Sequence, residues 1–227
     1  MPRRTYEQAC ALAQALDVVG ERWTLLIVRE LFAGPQRFSD LLQTLPGIGN
    51  GLLATRLREM QENGLIEVTD LPPPGAARVY QLTTRGRQLD EAVTALGRWG
   101  SGLLPPPGAG PHEHPLWLLQ SLAAGTRRSS ENRQALNVDV QLDGQHHHLR
   151  IRSGRAIAGR GPYHEAQASI ITSSETLYLF CRGQRDLEEV LASGQLRVSG
   201  QRETAVQTLQ LLRRANAHNG ADQRREQ

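Results

Sequence analysis

Lysine is missing from this chain: all 26 of its basic residues are arginine. The bias runs through the whole composition, so a single arginine says less than usual about a phosphate contact. Cysteine is scarce. Cys10 and Cys181 are too few for a disulfide framework and suit a reducing compartment. No apolar run approaches the roughly 18 residues that read as a membrane-spanning helix, and the opening MPRRTYEQ has no apolar core of the kind a secretory signal needs. A cytoplasmic protein without membrane attachment is expected. Charge of one sign is also in short supply. Residues 1–104 hold 11 Arg against 11 Asp and Glu, and residues 105–227 hold 15 against 12, which gives the net +3. Bulk charge therefore does not single out nucleic acid as a partner; only local placement can. No Ser–His–Asp order, phosphate-cradling glycine loop or usefully spaced carboxylate pair stands out. The expectation is a protein that is not an enzyme, with no cofactor and no metal.

What is present centres on Arg37–Thr83. Ser39 is placed to cap a short helix over Asp40–Leu45, which Pro46-Gly47 stops. Asn50 is placed to cap a longer one that runs to Asn63 and ends on Gly64, a residue suited to a left-handed terminus. Leu53, Leu57 and Met60 recur at i, i+4 and i+7, a single apolar stripe. At about 100° per residue the opposite face carries Gly51, Thr55, Arg58 and Glu62. Leu65–Thr69 and Arg78–Thr83 then read as strands around a proline-rich tip. Two helices at a short glycine-containing turn, followed by a hairpin, is the layout of a winged helix-turn-helix. On that reading Arg58 is the first candidate for base or phosphate contact, with Thr55, Asn50 and Gly51 beside it. Asn50 has capping as its plainer role. Arg56 lies nearer the core edge, where a buried structural bond competes with phosphate contact. Arg37 and Arg78 suit backbone phosphates.

Before this stretch, Thr5-Tyr6-Glu7-Gln8 has capping-box spacing and predicts a helix to Val18, with Cys10 in its interior. A second helix, Glu21–Ala33, is apolar on most sides. After it, Thr84 is placed to cap a helix to Leu104 with Leu89, Val93, Leu96 and Trp99 at helical spacing; Trp23 and Trp99 read as core. Pro105–Pro111 marks a boundary, a semi-rigid spacer. His112, Glu113 and His114 follow it without further ligands at a metal-binding spacing. Beyond lie an apolar helix (Leu116–Ala124), an alternating hairpin through Asp143-Gly144, and strands at Arg155–Gly159 and Ala168–Thr172. Helices at Thr176–Cys181 and Leu187–Ala192 come next, then a strand at Leu196–Ser199, a closing amphipathic helix (Arg202–Arg214) and a polar tail. His146-His147-His148 reads as a turn-edge run, since successive strand residues point to opposite faces.

The pieces Leu16–Leu26, Gly34–Leu41, Leu53–Met60, Asn63–Ile66, Tyr80–Thr83 and Leu96–Trp99 agree in order and spacing with one family. The first hundred residues resemble the HxlR-type winged-helix regulators. The resemblance implies a homodimeric transcription factor whose recognition helices enter successive major grooves of double-stranded DNA. Gly49-Asn50-Gly51 departs from it, since many members carry Ser or Thr before the recognition helix and Gly51 removes a side chain from a base-facing position. The N-terminal cysteine of some relatives is a redox sensor, which makes Cys10 a second candidate switch; a buried small residue is its plainer role. Residues His114–Ala215 are similar to sterol carrier protein type domains. That resemblance implies an α+β fold around an apolar tunnel for a lipid-like effector, with Trp117, Val140, Ile151, Ile170, Leu177 and Phe180 as lining candidates.

The expected organisation is α+β: a winged helix-turn-helix over 1–104, a linker over 105–114, a sterol-carrier-like domain over 115–215 and a disordered tail over 216–227. The expected function is a ligand-responsive repressor. A lipid-binding protein whose winged helix mediates protein interaction is the other class.

Overall fold

The computed structural model describes residues 5–71, 77–103, 105, 108–109, 113–126 and 135–217. The hairpin tip, most of the linker and the tail from residue 218 lie outside the described residues. The chain divides into two compact units, Met1–Val93 and Thr94–Gln227, and the division falls inside a helix. Among the described residues no helix is long and apolar enough to cross a membrane.

In the first unit, α1 (Ala11–Val19) starts later than its sequence predicts. The local capping signal at Thr5–Gln8 loses to contacts made at longer range. The Tyr6 amide donates to Asp17 Oδ1 at 2.9 Å, Gln14 Nε2 donates to the Gln8 carbonyl, and Glu7 adopts a left-handed φ of 51°. Cys10 consequently stands at the N-cap of α1, where a mid-helix position was expected. Helix α2 (Thr24–Phe32) follows a Trp23 held at φ 81° and buries Ile27, Val28 and Leu31. Helix α3 (Phe38–Thr44) begins one step before the expected cap. Arg37 takes the N-cap position and its amide donates to Asp40 Oδ2 at 3.1 Å, so a carboxylate three residues on does the capping expected of Ser39. Helix α4 (Asn50–Glu62) is capped at Gly49, which moves Asn50 from cap to first helical residue.

Strands β1 (Ile66–Leu71) and β2 (Ala77–Leu82) pair antiparallel, Ile66 opposite Leu82 and Leu71 opposite Ala77. A short bridge adds Gln36 to Tyr80, each amide donating to the other's carbonyl at 3.0 and 2.8 Å. The expected long helix after the hairpin is broken. A single turn, α5 (Thr84–Arg87), precedes α6 (Asp90–Gly100) and a 3₁₀ turn at Ser101–Leu103. Thr83 caps α5, its hydroxyl accepting from the Gly86 amide and donating to the Gly64 carbonyl. Leu53, Leu57, Met60, Leu41, Leu45, Ile27 and Val28 form the core, with Leu89 and Val93 packed on it. Each such side chain contributes about 1.5–3 kcal/mol by burial. The stripe stops there: Trp99 is 76% exposed, contrary to its reading as core.

In the second unit, strands β3 (Leu136–Leu142), β4 (Gln145–Arg152), β5 (Arg155–Arg160), β6 (Ala168–Thr172) and β7 (Leu196–Gly200) form one sheet. Its order is β5-β4-β3-β6-β7, with β3 and β6 parallel and the other pairs antiparallel. Asp143-Gly144 and Ser153-Gly154 turn the two hairpins with positive φ at both residues, the geometry that matches strand twist. The even face (Leu136, Val138, Val140, Leu142) is buried. Helices α7 (Pro115–Ala124) and α10 (Arg202–Asn216) pack on the sheet, and α8 (Ser174–Cys181) packs on both of them. Helix α9 (Leu187–Ala192) lies by β7. Ser173 and Asp186 cap α8 and α9, their side chains accepting from the Thr176 and Glu188 amides. Helix α10 runs on to Asn216, whose amide donates to the Leu122 and Leu212 carbonyls and so anchors the end expected to fray.

Candidate nucleic-acid interface

Helix α4 shows how one short sequence sets two faces. Leu53, Leu57 and Met60 are buried, which turns Asn50, Gly51, Ala54, Arg58 and Gln61 outward. Thr55 is half-buried at the edge of that outward face. The helix ends in a Schellman motif. The Leu65 amide donates to the Met60 carbonyl, the Gly64 amide to the Gln61 carbonyl, and Gly64 holds φ 67°. Leu52 is also exposed, an apolar contact that the stripe hid because it flanks Leu53.

The two arginines of this helix have opposite fates. Arg58 side chain is 68% exposed, and its Nε lies 3.9 Å from Glu62 Oε1, also exposed, a pair worth little in water. Its guanidinium is available to an incoming anion. Arg56 is turned inward, bonded to Glu59 one turn on and to Glu21 Oε2 at 3.1 Å, between α1 and α2. It therefore fixes the pose of α4 and presents little to solvent, the structural alternative named for it from sequence. Arg37 is exposed at the start of α3, and Arg78 is exposed on β2 across from Asp70. Arg37 thus precedes α4 by one helix and Arg78 follows it on the second strand of the hairpin.

Cys10 is exposed. The backbone N–H groups of Ala13 and then Leu12, at the start of α1, favour the thiolate and hold the thiol below its ordinary pKa. Cys181 is the opposite case: burial pushes it up to about 12, so it remains a protonated core residue. The six lining candidates divide unevenly. Val140, Ile151, Ile170, Leu177 and Phe180 are buried between the sheet and its helices, while Trp117 is partly exposed on α7. His114 caps α7, its Nδ1 accepting from the Leu116 amide. His147, read from sequence as part of a turn-edge run, is buried. Strand β4 begins at Gln145, and the parity that sends Leu149 and Ile151 inward sends His147 inward too.

Residues 18–107 match a family model described as HxlR-like helix-turn-helix. An uncharacterized HTH-type transcriptional regulator of Mycobacterium tuberculosis, Rv3095, is 42% identical over 101 residues, covering 44% of this chain. This chain spans 63% of the length of that relative. The HTH-type transcriptional regulator YodB of Bacillus subtilis is 32% identical over 95 residues, 42% of this chain and 85% of YodB. The structure of reduced YodB superposes with a TM-score of 0.38 at 31% identity, over 44% of this chain and 98% of that one.

Proposed function

Because this chain belongs to the HxlR-like helix-turn-helix family, we propose that it is a DNA-binding transcriptional regulator acting as a homodimer in the cytoplasm. The observation that carries the reading is α4. One face is locked by Leu53, Leu57, Met60 and the inward Arg56; the other offers Asn50, Gly51, Thr55 and Arg58. A polar helix of this length on a rigid support fits a major groove, with Arg37 and Arg78 on the backbone beside it. Apolar side chains left exposed on α1 (Leu12, Leu16) and α6 (Leu96, Trp99) support self-association, since a second copy would cover them. The organisation proposed for it is a DNA-binding domain over 1–104, a linker, and an effector domain over 115–215. That domain, similar to sterol carrier proteins, takes a hydrophobic small molecule and makes the protein a ligand-responsive repressor. Effector and operator then couple by about 1–3 kcal/mol, a 5- to 150-fold response.

The test is fluorescence anisotropy with the chain's own promoter duplex across a salt series. A binding constant that falls steeply with salt is expected. Salt-independent or absent binding would favour the other class, a lipid-binding protein whose winged helix contacts protein.

A second switch is favoured by one observation: Cys10 is exposed at a helix N-terminus with its thiol pKa lowered. Oxidant titration of operator binding separates the two, because Cys10→Ser abolishes an oxidant response and leaves an effector response untouched.

A further inference from the structure

Five side chains of the second unit without a part in DNA contact gather by the start of α7. His147 is 3% exposed, and neither Nδ1 nor Nε2 meets a hydrogen-bond partner among the described residues. A neutral imidazole carries one donor and one acceptor. Leaving such groups unmet in an interior is unfavourable, and leucine, which stands two residues on at Leu149, would avoid it. Packing alone therefore does not account for a histidine here. Across the ladder His147 is in register with Arg160 on β5 and Val140 on β3, so the three share the inner face. The His114 ring lies 6.4 Å from that of His147 and 5.4 Å from that of Trp117. His114 is the N-cap of α7, so the positive end of a ten-residue helix opens at the same place. After burial, the largest cause, His114, Arg160, His148 and His146 all act to hold the His147 pKa down, to about 4. All four are basic side chains.

We infer that this cluster is the head-group end of the effector site and takes a carboxylate carried on an aliphatic body. Arg160 supplies a positive charge for the anionic head, and His147 supplies a hydrogen bond. Trp117 and Val140 supply the apolar walls for the first methylenes. The inference rests on the apolar-effector reading above.

Isothermal titration of the full chain with decanoate, and separately with 1-decanol, tests it. Decanoate should bind at least about tenfold more tightly than the alcohol, the scale of one charge-assisted hydrogen bond. His147→Leu should lower decanoate to the level of decanol while decanol binds as before, and Arg160→Gln should do the same by removing the charge. Equal affinity for acid and alcohol in the unsubstituted chain would overturn the head-group assignment and leave the apolar effector standing. Binding of neither would overturn both. Retention of the acid preference in both variants would also overturn the assignment.

Discussion

Gly86 sets two physical effects of opposite sign against each other. It lies inside α5, where replacing glycine by alanine ordinarily stabilises a helix by about 1 kcal/mol. Its backbone φ is not in the left-handed region, so alanine is conformationally allowed. A Cβ built there, however, falls 2.0 Å from the Leu65 carbonyl oxygen and 3.1 Å from Leu82 Cδ2. The oxygen is backbone, held by the Thr83 amide at 3.0 Å and the Thr83 hydroxyl at 3.2 Å, so it cannot swing aside alone. Relief requires α5 to lift from the base of the hairpin. That breaks the Thr83 cap to the Gly86 amide and loosens Leu82, one neutral hydrogen bond of about 1 kcal/mol plus part of a buried leucine at about 1–2 kcal/mol. Gly86→Ala is therefore expected to destabilise the first unit by about 2–3 kcal/mol. The chain has two units, so one melting curve does not isolate the effect. Hydrogen exchange across a guanidinium series does, with protection of β1, β2 and α4 falling and that of the five-stranded sheet unchanged. Unchanged or increased protection in β1 and β2 would refute the steric argument.

Arg58→Ala is expected to weaken operator binding by about 1–3 kcal/mol in an anisotropy titration while leaving the melting curve unmoved, because the side chain touches little of its own protein. Arg56→Ala should do the reverse in the first instance. Loss of its bonds to Glu21 and Glu59 and of its buried stem lowers the stability of the first unit by about 1–3 kcal/mol, read by the same exchange series. Acid titration probes His147, neutral in the fold with a pKa of about 4 against an ordinary 6.5. The unfolded chain binds the proton first, so this stability is complete above pH 6.5 and is lost as pH falls toward 4. The loss is at most about 3 kcal/mol. His147→Leu should flatten that part of the curve when the stability of the five-stranded sheet is followed by its own exchange protection at pH values from 7 to 4.

Helix α4 was legible almost to the residue. Its stripe is strictly periodic and Gly64 satisfies a local rule that no distant contact opposes. The β3–β4 hairpin was legible for the same reason, two-residue alternation around Asp143-Gly144. Trp99 and Cys10 were misread for a shared reason. Sequence periodicity tells which residues line up, but not whether a core lies opposite them, and a capping signal does not reveal that Asp17 will draw Tyr6 away from a helix. The role of Arg56 depends in part on Glu21, 35 residues earlier, which no local pattern links to it. Of the site itself, the outward identity of Arg58 followed from a helical wheel. The inward pull on its neighbour did not.

The bridge between Gln36 and Tyr80 is only two hydrogen bonds, yet it joins the hairpin's inner strand to the residue just ahead of α3. The strand is thereby fastened, at Tyr80, to the segment that leads into the helix pair. Were those two bonds lost, β2 would keep only β1 as a strand partner and the approach to α3 would lose its backbone tie to the hairpin.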